Sequence, residues 1–331
     1  MLRSQRPLTL TELESVLAPL GTPVDHTELS GGTFSAVQLV NLADGRAVVV
    51  KTSVPDHNDH NALLTYEHDL LRVEADMLAL LGPVDGVPTA TLLLEDFTRS
   101  HVEVEAIATT FLAGSPWDRT TLSPDAEARA SRDVGGVFAR LHRLTSPRFG
   151  YPARDFALGG DTWPDAFNAI FHAHLADAEK YGVDVRADEL RDVLTRGQDA
   201  LGQVTTACLV HNDLWPGNVL LDPASGRVQG IVDWERALYG DPLMDFVGMA
   251  AFNTGPLPEH HVAGYLEAGG ILTLDDAADQ RIALYRLALA TIMLVEVLPR
   301  GFEGDWLPEH LATTTRTRDE VLAHAQATFP A

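Results

Sequence analysis

The stretch Leu209-Val210-His211-Asn212-Asp213-Leu214-Trp215-Pro216-Gly217-Asn218-Val219-Leu220-Leu221-Asp222 decides how the chain is read. Its apolar ends predict two short strands with a polar loop between them, so His211, Asp213 and Asn218 gather where the strands meet. Pro223-Ala224-Ser225-Gly226 makes the next turn, and Gly230-Ile231-Val232-Asp233-Trp234-Glu235 is a third strand ending in an acid, with Asp233 fifteen residues after Asn218. Phosphoryl transfer asks little covalent chemistry of a protein. It needs a group to take the proton of the attacking hydroxyl and hard oxygen ligands for Mg²⁺. Asp213 suits the first role, and Asn218 and Asp233 suit the second. An Asx-rich turn between strands would explain each residue singly, but not the three in this order.

Working outward, Thr9-Leu10-Thr11-Glu12 reads as a capping box opening a helix that ends near Gly21. The signal Asp44-Gly45 sits between apolar stretches at 34–42 and 47–52, which predicts a hairpin. Helical periodicity covers residues 61–81 and stops at Gly82-Pro83, and two further strands are expected over 89–94 and 102–111. Leu112-Ala113-Gly114-Ser115-Pro116 is the expected boundary, dividing the chain into residues 1–113 and 114–331. Beyond it helices are expected over 123–144, 163–181 and 187–201, and again after Pro242. This is an α+β arrangement: a β-rich first lobe with one main helix, and a mostly helical second lobe carrying the small β unit.

His-x-Asp-x-x-x-x-Asn followed by Ile-Val-Asp resembles the aminoglycoside phosphotransferase and choline kinase group, relatives of the protein kinases. The wording His-Asn-Asp-Leu-Trp-Pro-Gly-Asn is also similar to fructosamine kinases. The resemblance spans about two-thirds of the chain, from Leu29 to Phe246. It implies a protein-kinase-like two-lobe fold, ATP as donor with GTP left open, and Mg²⁺ on Asn218 and Asp233. It further implies Asp213 as catalytic base and His211 as a brace for the loop. The pattern departs from a protein kinase. Trp215 and Pro216 replace the catalytic-loop lysine region, Trp234-Glu235 follows Asp233, and the short run to Gly240-Asp241-Pro242 leaves little room for an activation loop. Asp241 and Asp245 are read as helix-start and loop-bracing acids.

The first lobe should hold the nucleotide. The chain has 22 arginines and two lysines, Lys51 and Lys180. A lysine kept against such a bias suggests a task for a compact ammonium, which slips between phosphate oxygens as a point charge. By the resemblance Lys51 contacts the α- and β-phosphates and is held by an acid on the following helix. Glu67 and Glu74, seven apart, share one face of that expected helix. Glu74 enters the apolar pattern and is favoured, leaving Glu67 as an exposed helix charge. Gly31, Gly32 and Thr33 form the expected phosphate-covering turn. Thr110 and Leu112 fall where the base-reading hinge belongs. For the acceptor, Asp161, Trp163 and Glu235 are the candidates.

Composition narrows the partners. The net charge of −23 with no basic block argues against nucleic acid and favours a cationic small molecule. Cys208, the single cysteine, rules out an internal disulfide and a multi-cysteine zinc site. No signal-peptide core or membrane-length apolar run is expected, which points to a cytoplasmic protein, compatible with a monomer or a homodimer. The acceptor is read first as an amino sugar or aminoglycoside-like antibiotic. The alternatives are a metabolic ketosamine (fructosamine), sugar, choline-like alcohol or hydroxy amino acid. A non-catalytic nucleotide-binding protein is disfavoured by the intact Lys51, Asp213, Asn218 and Asp233. A metal hydrolase is disfavoured by the lack of a second histidine cluster.

Overall fold

The computed structural model describes residues 6–29, 35–53 and 64–329. Gly31, Gly32 and Thr33, the expected phosphate-covering turn, lie outside the described residues.

Helix α1 (Leu10–Val16) opens with the capping box of Thr9 and Glu12. Strands β1 (Pro23–Glu28), β2 (Ala36–Leu42), β3 (Ala47–Thr52), β4 (Leu92–Asp96) and β5 (Ala106–Thr110) form an antiparallel sheet of order β1-β2-β3-β5-β4. Strand period two sends Val48 and Val50 to one face, where they pack with Val40, Leu42, Ala106 and Ala108 against Leu13, Val16 and Leu17. The opposite face is left for Lys51. Helix α2 (Leu70–Leu81) packs Leu71, Met77, Leu78 and Leu81 with Ile107 of the sheet.

The expected helix over 61–81 is corrected at its start. Asp69 adopts a left-handed conformation (φ 56°), so α2 begins at Leu70, and Glu67 precedes the helix instead of sharing its face with Glu74. Glu67 is also buried, not exposed.

Past Thr110 the chain crosses to Ser115–Pro116, which pairs with Leu220–Leu221. Gly114 (φ +153°) lies against Leu220 and Leu221, where a side chain would crowd their backbone. Then come α3 (Pro124–Leu141), α4 (Trp163–Tyr181) and α5 (Ala187–Arg196). The expected helix over 187–201 is broken at Gly197. Strands β6 (Ala207–Val210), β7 (Val219–Leu221), β8 (Val228–Ile231) and β9 (Leu238–Gly240) follow, with β6 antiparallel to β9 and β7 to β8. The chain ends in α6 (Leu243–Gly248), α7 (Glu259–Glu267), α8 (Asp276–Val295) and α9 (Leu307–Thr328). Among the described residues one helical run, Asp276–Arg300, is long and apolar enough to cross a membrane, contrary to the expectation from sequence. Its window is 72% buried, and α8 packs into the core with α4 and α9.

Helices α3 and α7 touch backbone to backbone. A Cβ on Gly135 would lie 2.7 Å from the Tyr265 nitrogen, and one on Gly264 would lie 2.6 Å from the Arg132 Cα. His261 seals the same seam, stacked on Trp117 at 6.0 Å with both ring nitrogens buried and, among the described residues, without a hydrogen-bond partner. Burial, with help from His260, pushes its pKa down to about 4.

Gly264→Ala should therefore cost about 2–3 kcal/mol or more in urea unfolding, since neither backbone can yield. His261 binds fewer protons folded than unfolded between about pH 4 and 6.5, so stability should fall as pH drops through that window, by on the order of 3 kcal/mol. The melting temperature of His261→Phe should decline less over the same range, and an unchanged slope would show that His261 does not carry the effect.

Candidate active site

Strand alternation turns Lys51 into the cleft, and α2 presents Glu74 to it one turn after entering the core. The Lys51 Nζ donates to both Glu74 oxygens (2.7 and 2.8 Å) and to Asp233 Oδ1 (2.8 Å). Asp233 reaches it because, two residues past the end of β8, it takes a left-handed conformation (φ 73°) that Asp tolerates. Burial alone would drive Lys51 toward neutrality. Asp233, Glu74 and Glu235 outweigh it and keep the ammonium charged. Burial likewise works to raise Asp233, but Lys51 overrides it and holds that carboxyl below its ordinary value. At Glu74 burial prevails over Lys51, and the pKa is raised.

The catalytic-loop candidates stand across the cleft. His211 is fully buried, packs on Trp234 with ring centroids 4.5 Å apart, accepts the Asp213 N–H at Nδ1 (3.3 Å) and sits 3.0 Å from the Val232 carbonyl at Nε2. That pair of partners assigns the proton to Nε2 of a neutral ring, and burial lowers its pKa. Asp245, fully buried on α6, accepts the backbone N–H of His211 (3.1 Å) and of Asn212 (2.9 Å) and meets His142 Nε2 at 3.1 Å. Asn218 Nδ2 donates to the Asp213 carbonyl at 2.8 Å, which leaves Oδ1 as its ligand end. Burial pushes the Asp213 carboxyl up to about 6, with Arg236 opposing and Asp233 adding to the rise.

The structure thus brings Lys51, Glu74 and Asp233 into direct contact and links Asp213, His211 and Asn218 in one loop. Thr110 ends β5, where its Oγ1 accepts the Thr91 N–H at 2.9 Å, and Leu112 lies over Gly230. The three acceptor candidates do not gather. Trp163 is wholly buried, donating to the Tyr285 hydroxyl at 2.8 Å, because its apolar area is consumed by the α4–α8 core. Asp161 is exposed ahead of α4. Glu235 faces the Lys51 side of the cleft: Glu74, Asp233 and Glu235 each place an oxygen within 4.8 Å of the others, and Ser35 donates to Glu235 at 3.4 Å. Burial and then Asp233 push Glu235 up to about 8.

Sequence reading missed a buried charge network beside Asp213. Arg236 Nε lies 3.7 Å from Asp213 Oδ2 and its Nη2 3.4 Å from Glu296; Arg300 pairs with Glu67 and, at 3.4 Å, with Glu296. Nothing in the sequence distinguishes these arginines from the other twenty; Glu296 and Arg300 have the i,i+4 spacing of a helix pair, but Arg236–Glu296 and Arg300–Glu67, 60 and 233 residues apart, follow no local spacing.

The phosphotransferase enzyme family matches residues 25–285, well over half of the chain. Viomycin phosphotransferase of Streptomyces vinaceus is 26% identical over 252 residues, 72% of this chain and 78% of its own length. 4-Hydroxytryptamine kinase of Psilocybe cubensis is 24% identical over 198 residues, 54% of this chain, and the match spans about half (51%) of that protein. Among solved structures, a ternary complex of a thermostable aminoglycoside phosphotransferase APH(4)-Ia mutant with AMP-PNP and hygromycin B aligns with TM-score 0.62 at 19% identity, over 96% of this chain and 99% of that one. A putative fructosamine-3-kinase of Thermobifida fusca aligns with TM-score 0.64 at 22% identity, over 94% and 97%. The fold is theirs, and the chain belongs to the phosphotransferase enzyme family.

Proposed function

We propose that this chain transfers the γ-phosphoryl group of ATP to a hydroxyl of a small molecule in one in-line step, with Mg²⁺. The observation that carries the reading is the charged Lys51 held between Glu74 and Asp233 across from the Asp213 loop. Lys51 then meets the α- and β-phosphates, and Asp213 orients the acceptor hydroxyl and takes its proton as the oxygen attacks phosphorus. The donor set fits Mg²⁺: Asn218 offers Oδ1, Asp233 keeps Oδ2 beyond its Lys51 contact, and both are hard oxygens. When bound, the ion neutralises phosphate charge. Asp245 acts as a positioning residue by fixing the two backbone N–H groups that precede Asp213.

Three acceptor classes follow from the relatives' names. The aminoglycoside named for one structural neighbour suggests an amino sugar, and viomycin phosphotransferase suggests a viomycin-like acceptor. The name 4-hydroxytryptamine kinase suggests a smaller aromatic hydroxyl.

Asp213→Asn should lower kcat by about a thousandfold while the nucleotide Kd stays within about twofold. An ADP-release assay against a panel of alcohols, phenols and amino sugars checks this, and wild-type turnover would remove Asp213 from the role of base. Lys51→Ala should raise the KM for ATP at least about tenfold, and EDTA should abolish transfer until Mg²⁺ is restored. Asp245→Ala should both lower kcat and cost about 3–5 kcal/mol in denaturant unfolding, because it strips a buried carboxylate from two N–H donors and His142.

A further inference from the structure

An open groove of about 670 Å³ runs between α3, α7, the turn after α2 and the start of β8. That volume falls within the roughly 300–1,000 Å³ of pockets that take small molecules. None of Lys51, Glu74, Asp213, Asn218 or Asp233 lines it. Its walls are fixed by the fold itself. The Pro88 carbonyl accepts the Ile231 N–H at 2.7 Å, which ties the turn to β8. Asp133 of α3 accepts from Arg227 Nε at 2.8 Å, which ties the helix to the residue that opens the same strand. On the remaining side the close approach at Gly135 and Gly264 holds α3 against α7.

The charges of the groove do not cancel. Its lining carries Arg132, Arg140 and Arg227 against Asp133 and Glu267. Arg132 pairs with Glu267 and Arg227 with Asp133, so one positive charge remains, that of Arg140. Among the described residues Arg140 meets no carboxylate; its Nη1 donates to the Gly136 carbonyl of its own helix. The guanidinium lies against Gly86 (φ +76°), where a Cβ would fall 2.3 Å from its Nε, so glycine is what leaves it that place. Arg132, Gly136 and Arg140 follow at intervals of four along one face of α3, and the glycine between them keeps the groove floor low. A guanidinium held in this way, with most of its N–H donors unused, is complementary to a carboxylate, whose two oxygens match the planar fork. Pro88, Val228 and Ala268 supply half-buried apolar wall in the same groove.

We propose that this groove binds a small organic monoanion, with its carboxylate on Arg140 and a flat apolar body against Pro88, Val228 and Ala268. A second negative charge would exceed the one unmatched cation, and an ammonium would be repelled by it. The site stands independently of the phosphotransfer reading.

Calorimetry on the full-length protein with AMP-PNP and Mg²⁺ present, so that the nucleotide cleft does not compete for anions, tests this. The probes are 1-naphthoate, its neutral counterpart 1-naphthamide and the cation 1-naphthylmethylammonium. 1-Naphthoate should saturate a single site with a Kd at or below about 1 mM, the scale open to a ligand of its size. The amide and the ammonium should each bind at least about tenfold more weakly. Arg140→Gln should weaken 1-naphthoate about tenfold or more while the melting temperature and the AMP-PNP Kd stay as in the wild type, which separates a lost charge from a lost fold. Ala268→Leu, which narrows the apolar part, should weaken it about fivefold or more under the same two controls. The proposal is overturned if 1-naphthoate shows no saturable binding, if the amide binds equally well, or if Arg140→Gln leaves the 1-naphthoate affinity unchanged. Indifference to Ala268→Leu would overturn the place given to the apolar body.

Discussion

A single ammonium on β3, closed between a helix carboxylate and a carboxylate from the second part of the chain, couples the pieces of this molecule. Lys51 spans 23 residues to Glu74 and 182 to Asp233, so one side chain ties the sheet, α2 and the end of β8 together. Such a triad is costly to bury and costly to break. Three charges leave water, and removing the lysine would leave two carboxylates facing each other within a few ångströms. A site of this kind is weak evidence for stability and better evidence for a ligand. A triphosphate with its metal supplies both the anionic oxygens Lys51 can grip and the positive charge Asp233 would lose when Lys51 turns away.

Much of that arrangement was legible in the sequence, for a physical reason. Backbone geometry converts spacing into direction over short distances. Period two in Ala47–Thr52 sends Lys51 away from the apolar face, and apolar strands around His211–Asn218 can only project the polar residues into one loop. Glu74 was readable because it interrupts an apolar helical stripe. Legibility ended where a single backbone angle or a distant contact decided the outcome. Asp69 in a left-handed conformation cuts off the helix that periodicity would have continued, and so moves Glu67 to another partner, Arg300. Trp163 is the same lesson in packing. An aromatic near a polar turn suits a sugar platform on paper, but α8 lies 120 residues further on and claims its ring through Tyr285.

Arg236 shows how one turn changes a role. In a strand it would share a face with Trp234, opposite Asp233 and Glu235. The left-handed turn at Asp233 and the short 3-10 turn Trp234–Arg236 instead split the segment three ways. Asp233 and Glu235 go toward Lys51, Trp234 goes into the core against His211, and Arg236 goes to the far side of Asp213. Four consecutive residues thereby reach Lys51, the core against His211 and the Asp213 carboxylate.

That split separates two electrostatic regimes around Asp213. Around Lys51 the carboxylates of Glu74, Asp233 and Glu235 outnumber the ammonium, so this part of the cleft favours added positive charge. On the other side Arg236 and Arg300 meet Glu296, Glu67 and Asp213, so all but one of those charges are matched within the protein. The whole-chain balance of −23 therefore says little about what that side would bind. It is a sum over a surface screened within about 8–10 Å, whereas a buried carboxylate responds to the few groups beside it. The sign of the protein and the polarity around Asp213 are independent quantities, and the second is the one that a group placed beside that carboxylate would meet.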